Sequence, residues 1–553
     1  MCRSSKYFFL LFAIVSCQKN EVINPQPNPG NSSFSFNTLR VNGKFSGFDY
    51  KGINTAPVIE VSFTSAIDPA HVPDAVSFNN KNGISVPLNF SFKMNDSLLV
   101  IQPLSPLAFL SKYSLQITTK LKSTNGGSLL SPLSVSFLTE IDSTDKFPAI
   151  STDSLLTLIQ KQTFSYFWDF GHPVSGMARE RSTSGETVTT GGSGFGVMAI
   201  PVAIERKFIT RSEGLARVQT ILDFLEHKAG HFHGAFSHWM NGTTGEVVPF
   251  GVNDDGADIV ETSYMMMGLL TARQYFNRTD KQEDSLRSEI NRLWDNVDWN
   301  WFRKDGGNVL YWNWSPDHGW AVNVPVRGWN ECLITYVLAA SSRTHPIPKV
   351  VYDEGFAGNG AMINNNNYLG IPLPLGPPFG GPLFFEEYSF LGIDPFGLAD
   401  AYAYYQVQTQ NHAKINYQYC ISNPKKYFGY SNECWGLTAC DIPGGYSACS
   451  PANDLGVIAP TAAISAIPYT PSESIDALKF FYYKLGDKIW GQYGFVDAFN
   501  LDDVWFDDSF LAIDQGPQIG MIENYRSGLL WNLFMSCPEV QDGLFKLGFH
   551  FTP

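Results

Sequence analysis

Asp254, Asp258 and Glu261 lie in the segment DDGADIVETSYMMMGLL at spacing i, i+4, i+7. On a helix that spacing places all three carboxylates on one face. The residues that follow, Tyr264 to Leu270, are apolar enough for a buried helix. Carboxylates gathered at the mouth of a buried helix repel one another and lose hydration, which raises their proton affinity. A chain shaped by stability alone avoids such a cluster, so the segment points to a centre that handles protons.

A fourth acid, Glu331 in WNECLI, begins a second apolar helical run. Beside Trp329 it either interacts with the dipole of that helix or is a carboxyl raised by an apolar wall, as a general acid requires. Seven of the 13 Trp fall between Trp294 and Trp329. Their flat faces and polar edges suit the C–H faces of sugar rings. Trp294, at helical spacing from Ile290, reads as core. Trp312, Trp314 and Trp320 stand in a Gly/Asp/Asn-rich loop and read as ligand contacts.

Other chemistry-bearing residues are less pointed. His231, His233 and His238 in GHFHGAFSHW contain a His-x-His pair that could bind a metal. No acid at familiar ligand spacing completes a site, so hydrogen bonding to substrate or core is expected, and neither metal nor cofactor. Glu386-Glu387 follow a Pro/Gly-rich loop, Asp507-Asp508 could cap a helix, and Glu523 and Arg526 at i, i+3 could pair. Gly192 to Gly196 lacks the strand and Lys-Ser/Thr of a phosphate loop and the spacing of a nucleophile elbow.

The elements that must position these groups follow from pattern. With 553 residues, 44% of them hydrophobic, two or three domains are expected. Charged residues are 16% and the net charge is -14, which argues against nucleic acid and suits a neutral ligand. Arg3, Lys6 and the apolar run Tyr7–Val15 read as a signal peptide over 1–16, too short to span a bilayer. Ile14-Val15-Ser16-Cys17 resembles a lipobox, which would make Cys17 the lipidated first residue. That places the protein in the periplasm or at the cell surface, held to the outer membrane by its lipid alone. Residues 17–35 read as a flexible tether.

Short alternating runs over 36–142 predict a small all-β sandwich. From Ser151 the period becomes helical, with helices expected at 153–169, 194–207, 212–228, 256–276, 281–297, 328–342, 396–421, 456–466, 471–486 and 516–532. Some are apolar nearly all round and others carry a polar face. This mixture predicts a mainly α domain over 150–553, an (α/α) barrel of six hairpins with a buried inner ring and a solvated outer one. Cys434, Cys440 and Cys449 are close enough in sequence for one short disulfide.

Two resemblances narrow the reading. Ala56 to Thr139, with Val61-Ser62-Phe63 and Ser136-Phe137-Leu138-Thr139, resembles a bacterial Ig-like domain. TGGSGFGVMAI, DDGADIVETSYMMMGLL, GWNECLITYVLAA, GPLFFEEYSFLGIDP, NECWGLTACD, YGFVDAFN and DQGPQIGMIENYRSGLLW together resemble the glucoamylase-like family of Bacteroidetes, which contains the endo-β-1,2-glucanases of glycoside hydrolase family 144. That resemblance implies an (α/α)6 barrel and inverting hydrolysis of β-1,2-glucan; a monomer is expected, though the sequence leaves the oligomeric state open. It makes Glu331 the candidate general acid. Asp258, Asp254 and Asp514, in that order, become candidates for the base, with Glu261 beside them. Candidate sugar contacts are Trp312, Trp314, Trp320, Trp329, His238, Trp239, Tyr264 and Glu387. Two other classes stay open: a non-catalytic glycan-binding lipoprotein, which would need the Trp loop but not the acids, and a polysaccharide lyase, disfavoured by the acidic site. A hydrolase for another glucan linkage is a further alternative.

Overall fold

Alternation of apolar and polar residues becomes eight strands in the first of two compact units, which divide at Thr139–Glu140. The structure is a computed structural model that describes residues 34–551. The expected signal, Cys17 and nearly all of the tether lie outside the described residues. The strands are β1 (Phe36–Val41), β2 (Asp49–Ile53), β3 (Ile59–Phe63), β4 (Val76–Asn80), β5 (Leu88–Lys93), β6 (Leu98–Pro103), β7 (Lys112–Ile117) and β8 (Leu133–Thr139), with a one-turn helix α1 (Val72–Ala75) before β4. They form two four-stranded sheets, β1-β3-β6-β5 and β2-β8-β7-β4. The sheets are antiparallel except that β2 runs parallel to β8, with Asp49 opposite Ser136. Alternate residues such as Ile59, Val61 and Phe63 of β3 point inward and join Phe78, Leu115, Val135 and Phe137 in one core.

The second unit is helical. Its α-helices are α2 (Thr152–Trp168), α3 (Thr190–Glu205), α4 (Arg211–His227), α5 (Ile259–Tyr275), α6 (Lys281–Asn296), α7 (Leu333–Ser341), α8 (Tyr405–Ser422), α9 (Pro460–Ser465), α10 (Pro471–Ile489), α11 (Ala512–Ser527), α12 (Leu529–Met535) and α13 (Pro538–Leu547). Two kinds of helix are evident. All of α7 and α9, and nearly all of α3 and α5, are buried. By contrast α6 buries only Leu286, Ile290, Leu293, Trp294 and Glu283 and turns the rest outward, the stripe expected of a surface helix. The buried helices pack in sequence, α7 on α5, α5 on α3, α3 on α11 and α11 on α9. Between α7 and α8 the chain makes 3₁₀ turns at Leu383–Glu386 and Ser389–Leu391. No helix among the described residues is long and apolar enough to cross a membrane.

Several boundaries differ from expectation for local reasons. The segment ahead of α2 packs on α10: Lys146 N donates to Tyr483 O at 2.7 Å and Phe147 stacks on Tyr482 at 4.6 Å. Helix α8 starts at Tyr405 rather than 396, because Asp400 turns the chain by accepting from the N–H groups of Tyr402 and Ala403. The helix expected over 516–532 is two, broken at Gly528, whose φ of 69° ends α11 in the left-handed region. The six described cysteines are buried free thiols, so the short disulfide expected among Cys434, Cys440 and Cys449 is not formed.

The contact between α3 and α5 is the closest of these packings, and glycine permits it. A Cβ on Gly194 would stand 2.3 Å from Tyr264 O, and one on Gly268 2.2 Å from Gly194 O. Neither backbone can yield without separating the helices. Gly268→Ala is therefore expected to destabilise the helical unit by about 1–3 kcal/mol or more, the scale of overpacking, read as a lowered Tm. Gly445→Ala, where a Cβ would meet nothing within 4 Å, is the control.

Candidate active site

The chain reaches α5 in extended conformation. Ala257 and Asp258 pair with Trp314 and Asn313 in a two-stranded ribbon, and Asp258, at φ -121° and ψ 108°, caps the helix. The three acids therefore do not share one helical face. Asp254 precedes the ribbon, Asp258 is the cap, and only Glu261 lies in the first turn. The same three residues are brought together by the turn instead of by helical periodicity.

Asp258 has no exposed surface. Its Oδ1 accepts from the N–H groups of Val260 at 3.0 Å and Glu261 at 2.9 Å. Its Oδ2 lies 2.8 Å from His238 Nδ1 and accepts from Trp312 Nε1 at 3.2 Å. Glu261 Oε2 accepts from Gly191 N at 2.6 Å and Thr189 Oγ1 at 3.3 Å, which ties α5 to the start of α3. Asp254 accepts from Asn313 Nδ2 at 3.0 and 3.1 Å.

These surroundings separate the acids. Burial, then the charge of Asp258, pushes Asp254 up to about 6, against the pull of His238 and Asn313. Burial likewise raises Glu261. For His238 burial acts downward, but Glu261, the hydrogen bond to Asp258 and the charge of Asp254 outweigh it and hold the imidazole at about 9. Glu331 stands two residues before α7, partly buried. Burial pushes it up to about 7, with the charges of Glu261 and Asp258 adding to the effect and its own backbone N–H opposing it.

A second acidic group faces the first across a layer of aromatic rings. Tyr264 packs against Phe195 and Tyr388 at 5.1 and 5.7 Å, and its hydroxyl is buried without a partner. Beyond it lie Glu387 and Asp514, both buried, with Glu387 Oε1 and Asp514 Oδ2 receiving no donor. Burial raises both. Burial raises Asp497 as well, with the charge of Asp514 adding to the effect. Asp441 N donates to Asp497 Oδ2 at 2.7 Å, and the Asp441 carboxylate accepts from Arg181 at 2.9 Å and from Ser509 Oγ at 2.7 Å. Arg181 also holds Glu180 at 3.0 Å. Asp441, Asp497 and Asp507 have metal-like spacing, each offering an oxygen within 4.8 Å of the others. Arg181 already neutralises Asp441, and burial raises the proton affinity of Asp497 and Asp507.

The aromatic residues divide. Trp312 reaches Asp258 directly. Trp239 meets His238 edge-on at 5.5 Å, with the half-exposed Phe250 stacked on the imidazole at 4.1 Å. Trp314 and Trp320 belong to an outer group built on Trp301, which stacks with His233 at 3.7 Å. Trp329, expected at the sugar surface, is instead packed among Phe356, Phe390 and Tyr405, and its indole N–H donates to the buried Glu386 at 3.3 Å. Glu523 and Arg526 do not pair: Glu523 binds Arg206 at 2.7 Å and Arg526 reaches Asp153 at 2.7 Å. Residues that sequence reasoning passed over are Asn313, Phe250, Tyr388, Asp441 and Asp497, and it gave the loop residues Glu180 and Arg181 no role. Asp441 and Asp497 stand inside NECWGLTACD and YGFVDAFN, segments singled out as motifs without their acids being weighed.

A mainly helical unit with two facing groups of buried acids and a lining of aromatic rings defines a class of carbohydrate-handling site. Comparison with known proteins agrees. Residues 48–139 match the bacterial Ig-like domain model, and residues 323–538 match the family described as "Putative glucoamylase". A "putative glucoamylase" from Bacteroides uniformis is 56% identical, with a TM-score of 0.72 over 73% of this chain and 99% of that one. An endo-β-1,2-glucanase from Chitinophaga pinensis, solved with sophorotriose and glucose, is 52% identical, with a TM-score of 0.71 and coverage of 73% and 99%. An exo β-1,2-glucooligosaccharide sophorohydrolase (non-reducing end) from Parabacteroides distasonis is 46% identical over 420 residues, 72% of this chain. The match spans 58% of that relative's own length. The chain belongs to this glucoamylase family, with an Ig-like domain ahead of the family's helical domain.

The raised Glu331 has a consequence for stability. Its folded value of about 7 exceeds the ordinary 4.5, so the folded state binds the proton more tightly and loses stability as pH rises through that interval. At 1.36 kcal/mol per unit the loss is at most about 3 kcal/mol. Glu331→Gln removes it. The variant is expected to match the parent in Tm at pH 4.5 and exceed it at pH 8; equal Tm at both values contradicts the assignment.

Proposed function

We propose that this chain hydrolyses β-1,2-glucan or its oligosaccharides with inversion, using two carboxylates at the centre of an (α/α)6 barrel. The carrying observation is that Glu331, held at about 7, and Asp254, held at about 6, are both raised by burial and by the charge of the same neighbour, Asp258. Two carboxyls whose environments give them different proton affinities divide into acid and base. Glu331, protonated, donates to the glycosidic oxygen as the C1–O bond breaks. A water attacks C1 from the far face, and Asp254 takes its proton. Asp258 is set aside as base because four donors already occupy its two oxygens. A second reading, favoured by the unpartnered Asp514 Oδ2, gives the base role to Asp514. In the barrel, α3, α5, α7, the 383–391 turns, α9 and α11 form the inner ring.

The substrate class is supported by the aromatic lining and the activities named for the two glucan-cleaving relatives. One relative cleaves internally and the other releases sophorose from the non-reducing end, so product sizing decides the mode: a ladder of oligosaccharides for endo action, sophorose alone for exo.

The expected result on a panel of linear β-1,2-, β-1,3-, β-1,4- and α-1,4-glucans is reducing-end release from the β-1,2 polymer only. The pH profile of kcat/KM should be a narrow bell, rising through about 6 as Asp254 deprotonates and falling through about 7 as Glu331 does. Glu331→Gln should lower kcat by about 10²–10⁴-fold. Asp254→Asn should do the same if Asp254 is the base; retention of activity there with loss in Asp514→Asn selects the second reading. Binding of β-1,2-glucan by the parent without any cleavage would mark a glycan-binding protein instead.

A further inference from the structure

His238 occupies a junction to which the acid–base assignment gives no role. Its backbone is held by Thr190 N, which donates to His238 O at 3.1 Å, and it immediately precedes the strand β10 (Trp239–Asn241). Its ring is fixed on three sides: Nδ1 lies 2.8 Å from Asp258 Oδ2, one face stacks on Phe250 at 4.1 Å, and Trp239 meets it edge-on at 5.5 Å. The ionisable groups facing it are all acids. Asp258 and Glu261 come from the start of α5 and Asp254 from the segment before it. Glu180 comes from the loop ahead of α3. The nearby cation, Arg181, is committed to Glu180 and Asp441.

Resting on the reading of this site as a glycosidase centre, we propose that His238 is a positioning residue that acts as a fixed imidazolium. It clamps the Asp258 cap, and its charge keeps Asp254 and Glu261 usable as carboxylates beside one another, without itself contacting sugar. A neutral imidazole could supply the hydrogen bond to Asp258 but not the charge, and Asp254 and Glu261, both of which His238 lowers, would then shift toward their protonated forms. The raised proton affinity of His238 accords with this. Because Asp258 is saturated, its work is to hold His238 and Trp312 in place: Trp312 O accepts from Ile259 N at 3.0 Å, so the cap, the imidazolium and the aromatic wall are one assembly.

His238→Asn separates the two functions, since its side-chain amide places a donor where Nδ1 stands but carries no charge. In this variant the acidic limb of the kcat/KM profile should move at least half a unit to higher pH. KM should stay within about threefold of the parent and kcat fall about tenfold or more. A raised KM with an unmoved limb would make His238 a sugar contact and overturn the proposal. Ring-labelled histidine NMR on the full chain gives a readout independent of turnover. One of the 10 histidines should remain imidazolium above pH 8, and its signal should be absent from His238→Asn. If neither that variant nor His238→Gln folds, the parent spectrum still decides: no imidazolium signal above pH 8 refutes the proposal. If the parent cleaves no β-1,2-glucan but the imidazolium signal is present, the functional reading fails and the clamp stands.

Discussion

Asp258 is a fully buried carboxylate, and burying a charge is costly unless donors replace the water it loses. Four do so: two amides of the helix it caps, an imidazole and an indole. Each donor fixes a different part of the chain. The amides end the extended segment and begin α5. The imidazole brings in the loop before β10, and the indole brings in the Trp-rich loop in register with Ala257 and Asp258. Asn313, next along that ribbon, is thereby placed to hold Asp254. One carboxylate thus organises the residues around it while remaining too engaged for chemistry of its own.

Glu331 has the opposite environment. Burial and its acidic neighbours raise it, and its own backbone N–H alone opposes them. The second acidic group is balanced in another way, through Arg181 and Ser509 on Asp441 and the Asp441 amide on Asp497. Neither group depends on surface ion pairs, so salt should screen them little.

Much of this was legible in the sequence. Helical period located nearly every helix, and the acids at 254, 258 and 261 marked the site. The inference of a shared helical face failed because periodicity treats the residues before Ile259 as helix, whereas Asp258 competes for the helix's own free amides and stops it there. Trp329 was misplaced because a Trp beside an acid suggests an open face. Its burial depends on Glu386 and Tyr405, 57 and more residues downstream, and such contacts leave no mark in local pattern. Asp441 and Asp497 were passed over for the same reason: each stands alone in its segment and becomes part of a cluster only through the fold.

A common geometry underlies the gathering of so many acids. Asp258 caps α5 and Glu261 is in its first turn, Glu331 just precedes α7, Asp514 is in the first turn of α11, and the amide that holds Glu261 is at the start of α3. Four of the buried helices, α3, α5, α7 and α11, thus present their N-termini to the acids. There free amides and the positive end of each helix dipole offset part of the cost of negative charge. The acids are raised by burial and by one another, yet not so far that Asp254 and Glu331 leave the range near neutral pH in which they can exchange protons. That balance depends on helix starts staying in place. The glycine contact between α3 and α5 is therefore as much a part of the site as the carboxylates, because it fixes the distance from the Gly191 amide to Glu261.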